Sequence, residues 1–244
     1  MVMKRRNFLK AIVSCPVCAA LGATDWNYED RGPAKWGGLD PAYSLCRDGK
    51  QQSPIDLRDG TEERQPRLKI DWSTAKFNVV NNGHTIQLNA EPGSSMEVDG
   101  VRSALAQFHF HAPSEHAISG KRTAMEAHFV HRRQDGRLTV LAVLLIPGAA
   151  NAVLSAAMRA APAKPNGPSA ATSVDPRGLL PASTAKAWHY QGSLTTPPCS
   201  EDVAWIILAE TVPVAQADID RFHAVLPANA RPLQPLNGRK LDRP

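Results

Sequence analysis

Long apolar runs are missing from this sequence of 244 residues. No stretch reaches the roughly 18 consecutive apolar residues that would predict a membrane-spanning helix. The 16 glycines and 20 prolines follow no fixed period, which excludes collagen-like and low-complexity chains. With 43% hydrophobic residues, the chain has enough apolar side chains for one domain with a substantial core.

A large excess of charge is also missing once the N-terminus is set aside. The chain has 28 basic and 23 acidic residues, and four of the basic ones lie among the first ten positions. The other 24 basic residues nearly balance the acidic ones. They form no stripe with interleaved aromatic residues, so nucleic-acid binding is not expected.

The basic N-terminus predicts a cleavable export signal over residues 1–23. A charged segment ending at Lys10 precedes a short apolar segment that ends in small residues. The pair Arg5-Arg6, within R-R-N-F-L-K, resembles a twin-arginine export motif. Cleavage is expected between Ala19 and Ala23. An uncleaved amphipathic helix is the alternative.

Export agrees with how few cysteines the rest of the chain contains. Residues 24–244, the expected mature domain in the periplasm, retain only Cys46 and Cys199. An even pair in an oxidising compartment favours one disulfide. Two free buried thiols are the open alternative, and lipidation near Cys15 is a further alternative for the leader.

Short alternating segments separated by turn residues predict a mainly antiparallel sheet. Asn82-Gly83 and Asp99-Gly100 stand between such segments, and these dipeptides are strong hairpin signals. We expect a single α+β domain, dominated by a large twisted sheet with a few short surface helices. The predicted strands cover residues 67–72, 76–82, 84–90, 95–100, 105–111, 123–133, 138–147 and 202–210.

Helical spacing of apolar residues is limited to two segments. Residues 151–161 and 214–226 are both followed by a proline, which ends a helix. Residues 24–54 are predicted to be irregular and anchored by aromatic side chains. Residues 162–187, rich in proline, alanine and serine, are predicted to be a surface connection.

The segment QFHFH places two histidines, His109 and His111, on one face of a predicted strand. The two phenylalanines then lie on the opposite face, where they would be buried. His128 follows on another predicted strand and could converge with them. Three neutral imidazoles with one open position are typical of a catalytic zinc site. Taken alone, the pattern also fits sheet histidines that bind no metal.

Two polar residues strengthen the metal hypothesis. Gln107 and Glu126 each precede a candidate ligand by two residues and share its strand face. They are therefore placed to hydrogen-bond the second ring nitrogens of His109 and His128, which would fix the orientation of both rings.

Several stretches together resemble the α-class carbonic anhydrases, in the family's order and over nearly the whole mature chain. The leader and the placement of Cys46 and Cys199 are similar to those of exported bacterial members. Gln52, Ser53 and Pro54 belong to the match without a chemical role that we can assign. The matching stretches are QQSPIDL (51–57), NNGHTIQL (81–88), QFHFH to SEH (107–116), MEAHFVH (125–131), DPRGLLP (175–181), GSLTTPPCSEDVAWIIL (192–208) and RPLQPLNGR (231–239).

The resemblance implies a carbonate dehydratase, a zinc enzyme that reversibly hydrates carbon dioxide to bicarbonate and a proton. His109, His111 and His128 would bind one Zn²⁺ per chain at the bottom of a conical cleft. Carbonic anhydrases are the standard example of zinc lowering the pKa of a bound water, so that hydroxide is available at neutral pH.

The resemblance also implies roles for residues around the metal. Thr195 would accept a hydrogen bond from the attacking hydroxide and donate one to Glu115. His84 would relay the product proton to solvent, since an imidazole titrates near neutral pH. Tyr28, Asn82 and Gln87 would order the intervening waters. The apolar substrate pocket would contain Val130, Val143, Leu194, Thr196 and Trp205.

The resemblance extends to small molecules and assembly. Carbon dioxide and bicarbonate are the expected substrates, and sulfonamides and anions are the expected inhibitors. A homodimer is also compatible with the resemblance. The segments after His111 and His131 are shorter than in the family's larger members, which predicts a more open cleft.

Two other functions fit parts of the pattern. His109, His111 and Glu115 match the H-x-H-x₃-E motif of cupins, in which Glu115 rather than His128 would bind the metal. However, the glycine that this motif expects is replaced by Ser103, and its second half is absent. A non-catalytic carbonic-anhydrase-like domain is the other alternative. Such domains lack a ligand histidine, whereas all three are present here.

Overall fold

A large sheet organises the computed structural model, which describes residues 25–58, 60–62 and 65–244. The predicted export signal lies outside these residues. The sheet contains 13 strands of the described part of the chain, which confirms the predicted β-dominated, mainly antiparallel domain. The strands are β1 (Thr61–Glu62), β2 (Leu68–Asp71), β3 (Ala75–Asn81), β4 (Ile86–Ala90), β5 (Ser95–Val98), β6 (Val101–His111), β7 (Ala117–Ile118), β8 (Lys121–Arg122), β9 (Met125–Arg133), β10 (Leu138–Pro147), β11 (Ala170–Val174), β12 (Ala187–Gly192), β13 (Val203–Leu208), β14 (Val212–Val214) and β15 (Asp242–Arg243).

The main path of the sheet runs β1-β15-β12-β13-β10-β9-β6-β4-β3-β11. Most neighbours are antiparallel, but β10 pairs in parallel with β13 and β14, and β1 pairs in parallel with β15. The strands β7 and β8 form a separate two-stranded sheet. The strands β6, β9 and β10, which carry the histidine motifs and the longest apolar run, therefore lie at the centre.

The helices in the described part of the chain are short. Asn151 caps α3 (Ala152–Ala160), because its side-chain oxygen accepts the backbone N–H groups of Val153 and Leu154. None of these helices combines the length and apolarity that crossing a membrane requires. The helices are α1 (Trp36–Leu39), α2 (Leu45–Asp48), α3 (Ala152–Ala160) and α4 (Gln216–Val225).

The two faces of the sheet support two apolar clusters. The back core contains Phe108, Phe110 and Phe129 and is covered by α3 and α4. The front core contains Val130 and Trp205. Side chains alternate along a strand, so neighbouring residues of β9 contribute to opposite cores. The histidine motifs lie on the front face.

Seven strands of the described part of the chain were not predicted, and five of them (β1, β7, β8, β14 and β15) have only two or three residues. The two longer ones are β11 and β12. β11 falls within residues 162–187, which were predicted to be a surface connection. A 3₁₀ helix at Pro176–Leu179 follows it in the same range. β11 pairs with β3 at the sheet edge, and only Val174 of its five residues is buried. β12 pairs with β13, although its polar residues gave no strand pattern. The N-terminal segment also contains the one-turn helices α1 and α2.

A β-bulge in β6 determines which residues face each other at the centre of the sheet. The cross-strand register shifts between Leu105 and Gln107, so Ala106 is an extra residue. A bulge shifts every later pair by one position. Because of this shift, His109 lies directly opposite His128 rather than opposite a neighbour on the other face.

Candidate metal centre

Three histidines from β6 and β9 converge on the front face of the sheet. His109, His111 and His128 each offer a ring nitrogen, and these atoms lie within 4.8 Å of one another. The ring centroids are 4.6 to 5.2 Å apart. The sequence placed these three residues on one face, and the bulge brings them to the same level of the two strands.

In each of the two histidine rings on β6, the nitrogen Nδ1 has a hydrogen-bond partner. His109 Nδ1 lies 2.8 Å from Oε1 of Gln107. His111 Nδ1 lies 2.8 Å from the backbone oxygen of Asn229. Both partners are acceptors, so each Nδ1 carries the proton and each Nε2 is left as the metal-ligand atom.

His128 has the opposite arrangement. Its Nε2 lies 2.8 Å from Oε1 of Glu126, which leaves Nδ1 as the metal-ligand atom. The same Glu126 oxygen lies 2.7 Å from Nδ1 of His116. His116, Glu126 and His128 form a second cluster of possible ligands. Since their facing atoms are already hydrogen-bonded to each other, this cluster supports the metal centre rather than forming another one.

The three imidazoles fit a zinc ion chemically. Nε2 of His111 is buried and has no hydrogen-bond partner in the described part of the chain, a costly state that a metal ion would relieve. Burial lowers the pKa of His109 and of His111, and repulsion between the rings adds to both shifts. The neutral imidazole, which is the form that binds zinc, is therefore favoured.

Glu115 points one carboxylate oxygen at this centre. Its Oε1 accepts the backbone N–H of Arg231 at 2.9 Å. Its Oε2 lies 3.6 Å from Nε2 of His111 and 4.0 Å from Nδ1 of His128, and has no hydrogen-bond partner among the described residues. The carboxylate is completely buried, so a donor from the site would complete its hydrogen bonding.

Thr195 lies in the loop that follows β12 and is buried. The loop is closed by a hydrogen bond from Leu194 N–H to the oxygen of Ser200 at 2.9 Å. It is also tied to α2 by the Cys46–Cys199 disulfide, which confirms the predicted pairing over two free thiols. The hydrogen bond from Thr195 to Glu115 stays a prediction, since Oε2 of Glu115 has no partner here.

The structure corrects one residue of the predicted substrate pocket. Val130 and Trp205 belong to the front core, and Leu194 packs against it. Val143 belongs to the back core, because it pairs with Ala127 on the face away from the histidines. Thr196 is half-buried in the Thr195 loop.

The front-face valine of β10 is Val140. It lies opposite Val130 on β9 and opposite Trp205 on β13. The ring of Trp205 lies 4.9 Å from the ring of His128. Val140 therefore takes the place that the sequence assigned to Val143.

His84 follows the Asn82-Gly83 turn and stacks on an aromatic residue of the N-terminal segment. Oδ1 of Asn82 accepts the backbone N–H groups of His84 and Thr85 and so fixes the turn. The His84 ring lies 3.7 Å from the ring of Trp26, nearly parallel at 7°. Burial lowers the pKa of His84, and Asp25 partly opposes the shift, so the neutral ring predominates at pH 7.

Tyr28 and Gln87, the other predicted water-ordering residues, lie near the same centre. The Tyr28 hydroxyl is buried without a partner in the described residues. Burial raises the pKa of Tyr28, and so does the charge of Glu115. Gln87 lies opposite His109 and donates to Oδ1 of Asn89 at 2.6 Å.

Two residues near the C-terminus contribute to the centre and were missed by the sequence analysis. Asn229 offers its backbone oxygen to His111, and its side chain also holds the backbone of Ala112 and His84. Arg231 offers its backbone N–H to Glu115. The groups that contact His111 and Glu115 directly are backbone groups, so the residue type gives no signal for this part of the role.

Comparisons with known proteins agree with this geometry. The family model described as eukaryotic-type carbonic anhydrase matches residues 31–243. A carbonic anhydrase of Pectobacterium carotovorum is 44% identical over 229 residues, which cover 91% of this chain and 93% of that protein. The structure of α-carbonic anhydrase from Thermovibrio ammonificans with the inhibitor sulfanilamide superposes with a TM-score of 0.87. It is 41% identical, and the match covers 91% of this chain and 100% of that one.

A second solved structure extends the likeness beyond bacteria. A carbonic anhydrase from Chlamydomonas reinhardtii in complex with acetazolamide superposes with a TM-score of 0.77. It is 38% identical, and the match covers 89% of this chain and 98% of that one. From the family model, the bacterial relative and these structures, it follows that the chain belongs to the α-carbonic anhydrase family.

Proposed function

We propose that this chain reversibly hydrates carbon dioxide to bicarbonate and a proton, with one Zn²⁺ held by His109, His111 and His128. The observation that carries the proposal is the convergence of three imidazoles, of which His111 and His128 are buried and His109 is half-buried. The second nitrogen of each ring has its own hydrogen-bond acceptor. Three protein ligands with an open fourth position are the mark of a catalytic zinc site.

The hydroxyl group of Thr195 and the carboxylate of Glu115 would orient the nucleophile. Bound zinc would supply hydroxide at neutral pH by lowering the pKa of a water molecule. Thr195 would accept a hydrogen bond from this hydroxide and donate its own proton to Oε2 of Glu115. The buried Oε2 has no other partner in the described residues, which supports Glu115 as the acceptor.

Apolar side chains would hold the substrate beside the nucleophile. Carbon dioxide has no hydrogen-bond donor and no net charge, so a dry apolar wall suits it. Val130, Val140 and Trp205 belong to the front core next to His128, and Leu194 packs against them.

His84 would carry the product proton away. A neutral imidazole near the metal centre can accept a proton through ordered water and release it to solvent. The lowered pKa of His84 keeps it in the accepting form at neutral pH. Tyr28, Asn82 and Gln87 would order the waters between His84 and the centre.

We further propose that residues 1–23 direct export and that the mature domain works in the periplasm. A disulfide in the structure is compatible with an oxidising compartment. We also expect sulfonamide binding, because the related enzyme from Thermovibrio ammonificans has the inhibitor sulfanilamide bound.

Two substitutions test the assignment of the ligands. His128→Ala should abolish both stoichiometric zinc binding and carbon dioxide hydration. Glu115→Gln should keep zinc but lower kcat, because it alters the acceptor of Thr195 and not a ligand. Zinc content and stopped-flow hydration rates of the two variants are the measurements. Loss of zinc from Glu115→Gln with retention in His128→Ala would instead support a cupin-type site.

A further inference from the structure

The segment Gln52–Pro54, which has no role in the proposed chemistry, is connected to the metal centre by buried hydrogen bonds. Ser53 is completely buried. Its hydroxyl oxygen lies 2.8 Å from the hydroxyl oxygen of Tyr190 and accepts the backbone N–H of Ser193 at 3.0 Å. One serine hydroxyl therefore joins two groups that are distant in sequence.

The first connection leads from Ser53 to a metal ligand. The Tyr190 hydroxyl lies 2.8 Å from Nε2 of His116. Nδ1 of His116 lies 2.7 Å from Oε1 of Glu126, and the same oxygen lies 2.8 Å from Nε2 of His128. The side chains of this hydrogen-bonded series are all buried, so none of its hydrogen bonds is exposed to bulk solvent. They are Ser53, Tyr190, His116, Glu126 and His128.

The second connection leads from Ser53 to the loop that carries Thr195. Ser53 N–H donates to Oγ of Ser193 at 2.9 Å, and Ser193 N–H donates back to Oγ of Ser53. The Ser193 hydroxyl donates to the backbone oxygen of Leu194 at 2.7 Å. Ser193 thus connects the start of the Thr195 loop to Ser53, the residue at which the first connection also begins.

Gly192 shows how closely these groups are packed. A Cβ atom at this position would lie 2.2 Å from Oγ of Ser53, 2.7 Å from Cε2 of Tyr190 and 2.9 Å from Cδ1 of Trp205. Only glycine lets the backbone of β12 approach the serine hydroxyl this closely. The Ser53 hydroxyl is therefore closely packed against the backbone of β12 as well as hydrogen-bonded to its partners.

We infer that Ser53 is a positioning residue that couples the ring of His128 to the Thr195 loop. Its hydroxyl can donate and accept at once. The Tyr190 hydroxyl lies within hydrogen-bond distance of both Ser53 Oγ and His116 Nε2, and His116 Nδ1 lies within hydrogen-bond distance of Oε1 of Glu126. Ser53→Ala removes the hydroxyl group that takes part in both connections. The inference rests on the proposed zinc site, because it assigns Ser53 a role in holding one of the ligands.

The test compares four variants of the zinc-loaded mature protein. Ser53→Ala interrupts both connections, Tyr190→Phe only the one to His128, and Ser193→Ala the side-chain part of the one to the loop. Ser103→Ala is the matched control, since Ser103 is also buried and its hydroxyl donates to Met96 at 3.2 Å, away from the centre. The readouts are the rate of zinc release to excess dipicolinate and the Kd for sulfanilamide.

Ser53→Ala should release zinc about three- to tenfold faster than the control, which is less than the roughly 10–100-fold effect of removing a direct partner of a ligand. It should also bind sulfanilamide several-fold more weakly at saturating zinc. Tyr190→Phe should mainly change zinc release, and Ser193→Ala mainly sulfanilamide binding. These separate effects keep the test decisive if Ser53→Ala does not fold.

The inference is overturned if Ser53→Ala matches Ser103→Ala in both readouts, or if it changes only one of them. It is also overturned if Tyr190→Phe releases zinc at the control rate. Failure of the proposed function would look different, because it would appear in the unsubstituted protein, which would either bind no zinc or bind zinc without hydrating carbon dioxide.

Discussion

The ring of His84 lies flat against Trp26, at the edge of a cluster that also contains Tyr28 and Trp36. Nδ1 of this ring is buried and has no hydrogen-bond partner among the described residues. The Asn82 turn fixes the backbone beneath this ring. At the scale of single residues, the stacking and the turn therefore fix the position of His84, and its role as a proton relay stays a prediction.

His84→Ala should lower kcat for carbon dioxide hydration by about tenfold to 100-fold in weak buffer, because proton transfer then becomes limiting. Added imidazole should restore most of the rate. His223→Ala is the control, since His223 is exposed on α4 and should leave kcat unchanged. Equal kcat values for both variants in weak buffer would remove His84 from the proposed mechanism.

His131 makes stability depend on pH. Trp72 donates to its Nε2, and its Nδ1 lies 3.0 Å from the backbone oxygen of Phe129, so the buried ring is neutral. Burial lowers the pKa of His131 to about 4, whereas an unfolded histidine titrates near 6.5. Between these values the unfolded chain binds more protons, so stability falls as the pH falls.

The metal-free protein should therefore lose free energy of unfolding as the pH decreases from about 6.5 to 4, with His131 contributing at most about 3 kcal/mol. His131→Gln keeps an acceptor for Trp72 and cannot titrate. Denaturant unfolding at a series of pH values should give a shallower dependence for this variant. The same slope for both proteins would mean that His131 does not control this loss.

The sequence predicted the side chains that hydrogen-bond the metal ligands, but not the backbone groups that contact the metal centre. Gln107 and Glu126 stand two positions before a ligand, and period-two alternation places them on its face. Asn229 and Arg231 act through a backbone oxygen and a backbone N–H. Any residue type offers these groups, so their contribution depends on the folded path of the chain.

At the scale of elements, β10 explains why one pocket residue was wrong. Nine of its ten residues are apolar and the run from Thr139 to Leu145 is buried on both faces, so no alternation marks the front side. Its register with β9 and β13 supplies the missing information, because Val140 lies opposite Val130 and Trp205. Likewise, the bulge at Ala106 is visible only in the pairing of two strands.

Val140→Phe should lower kcat/KM for carbon dioxide by roughly tenfold to 100-fold, because the larger ring would fill the front pocket. Val143→Phe is the matched substitution on the back face. It should instead reduce stability by about 1–3 kcal/mol through overpacking, with little change in kcat/KM. Stopped-flow kinetics and denaturant unfolding separate the two effects. The reverse result would restore Val143 to the pocket.

The edge of the sheet limited prediction in a different way. β11 consists of Ala-Ala-Thr-Ser-Val, of which only Val174 is buried, so it has little apolar alternation to detect. It becomes a strand because β3 offers an unpaired edge. Central strands such as β9 carry their own pattern, whereas this edge strand depends on its neighbour.

At the scale of the whole molecule, the Cys46–Cys199 disulfide joins segments that are 153 positions apart. Closing so long a loop restricts the unfolded chain, which is worth about 2–5 kcal/mol. Reductant should therefore lower the Tm of the mature protein. The double variant Cys46→Ser/Cys199→Ser should have this lower Tm already and should not respond to reductant. A Tm that reductant leaves unchanged would contradict a stabilising role.

At this scale, the whole sheet positions three histidines for a zinc ion with which the protein is proposed to hydrate carbon dioxide. The most direct test is stopped-flow hydration by the purified mature protein with zinc, after chelation, and after zinc is restored. We predict fast hydration that disappears on chelation and returns with about one zinc per chain. Stoichiometric zinc without hydration would contradict the account and would leave a metal-binding domain that does not catalyse the reaction.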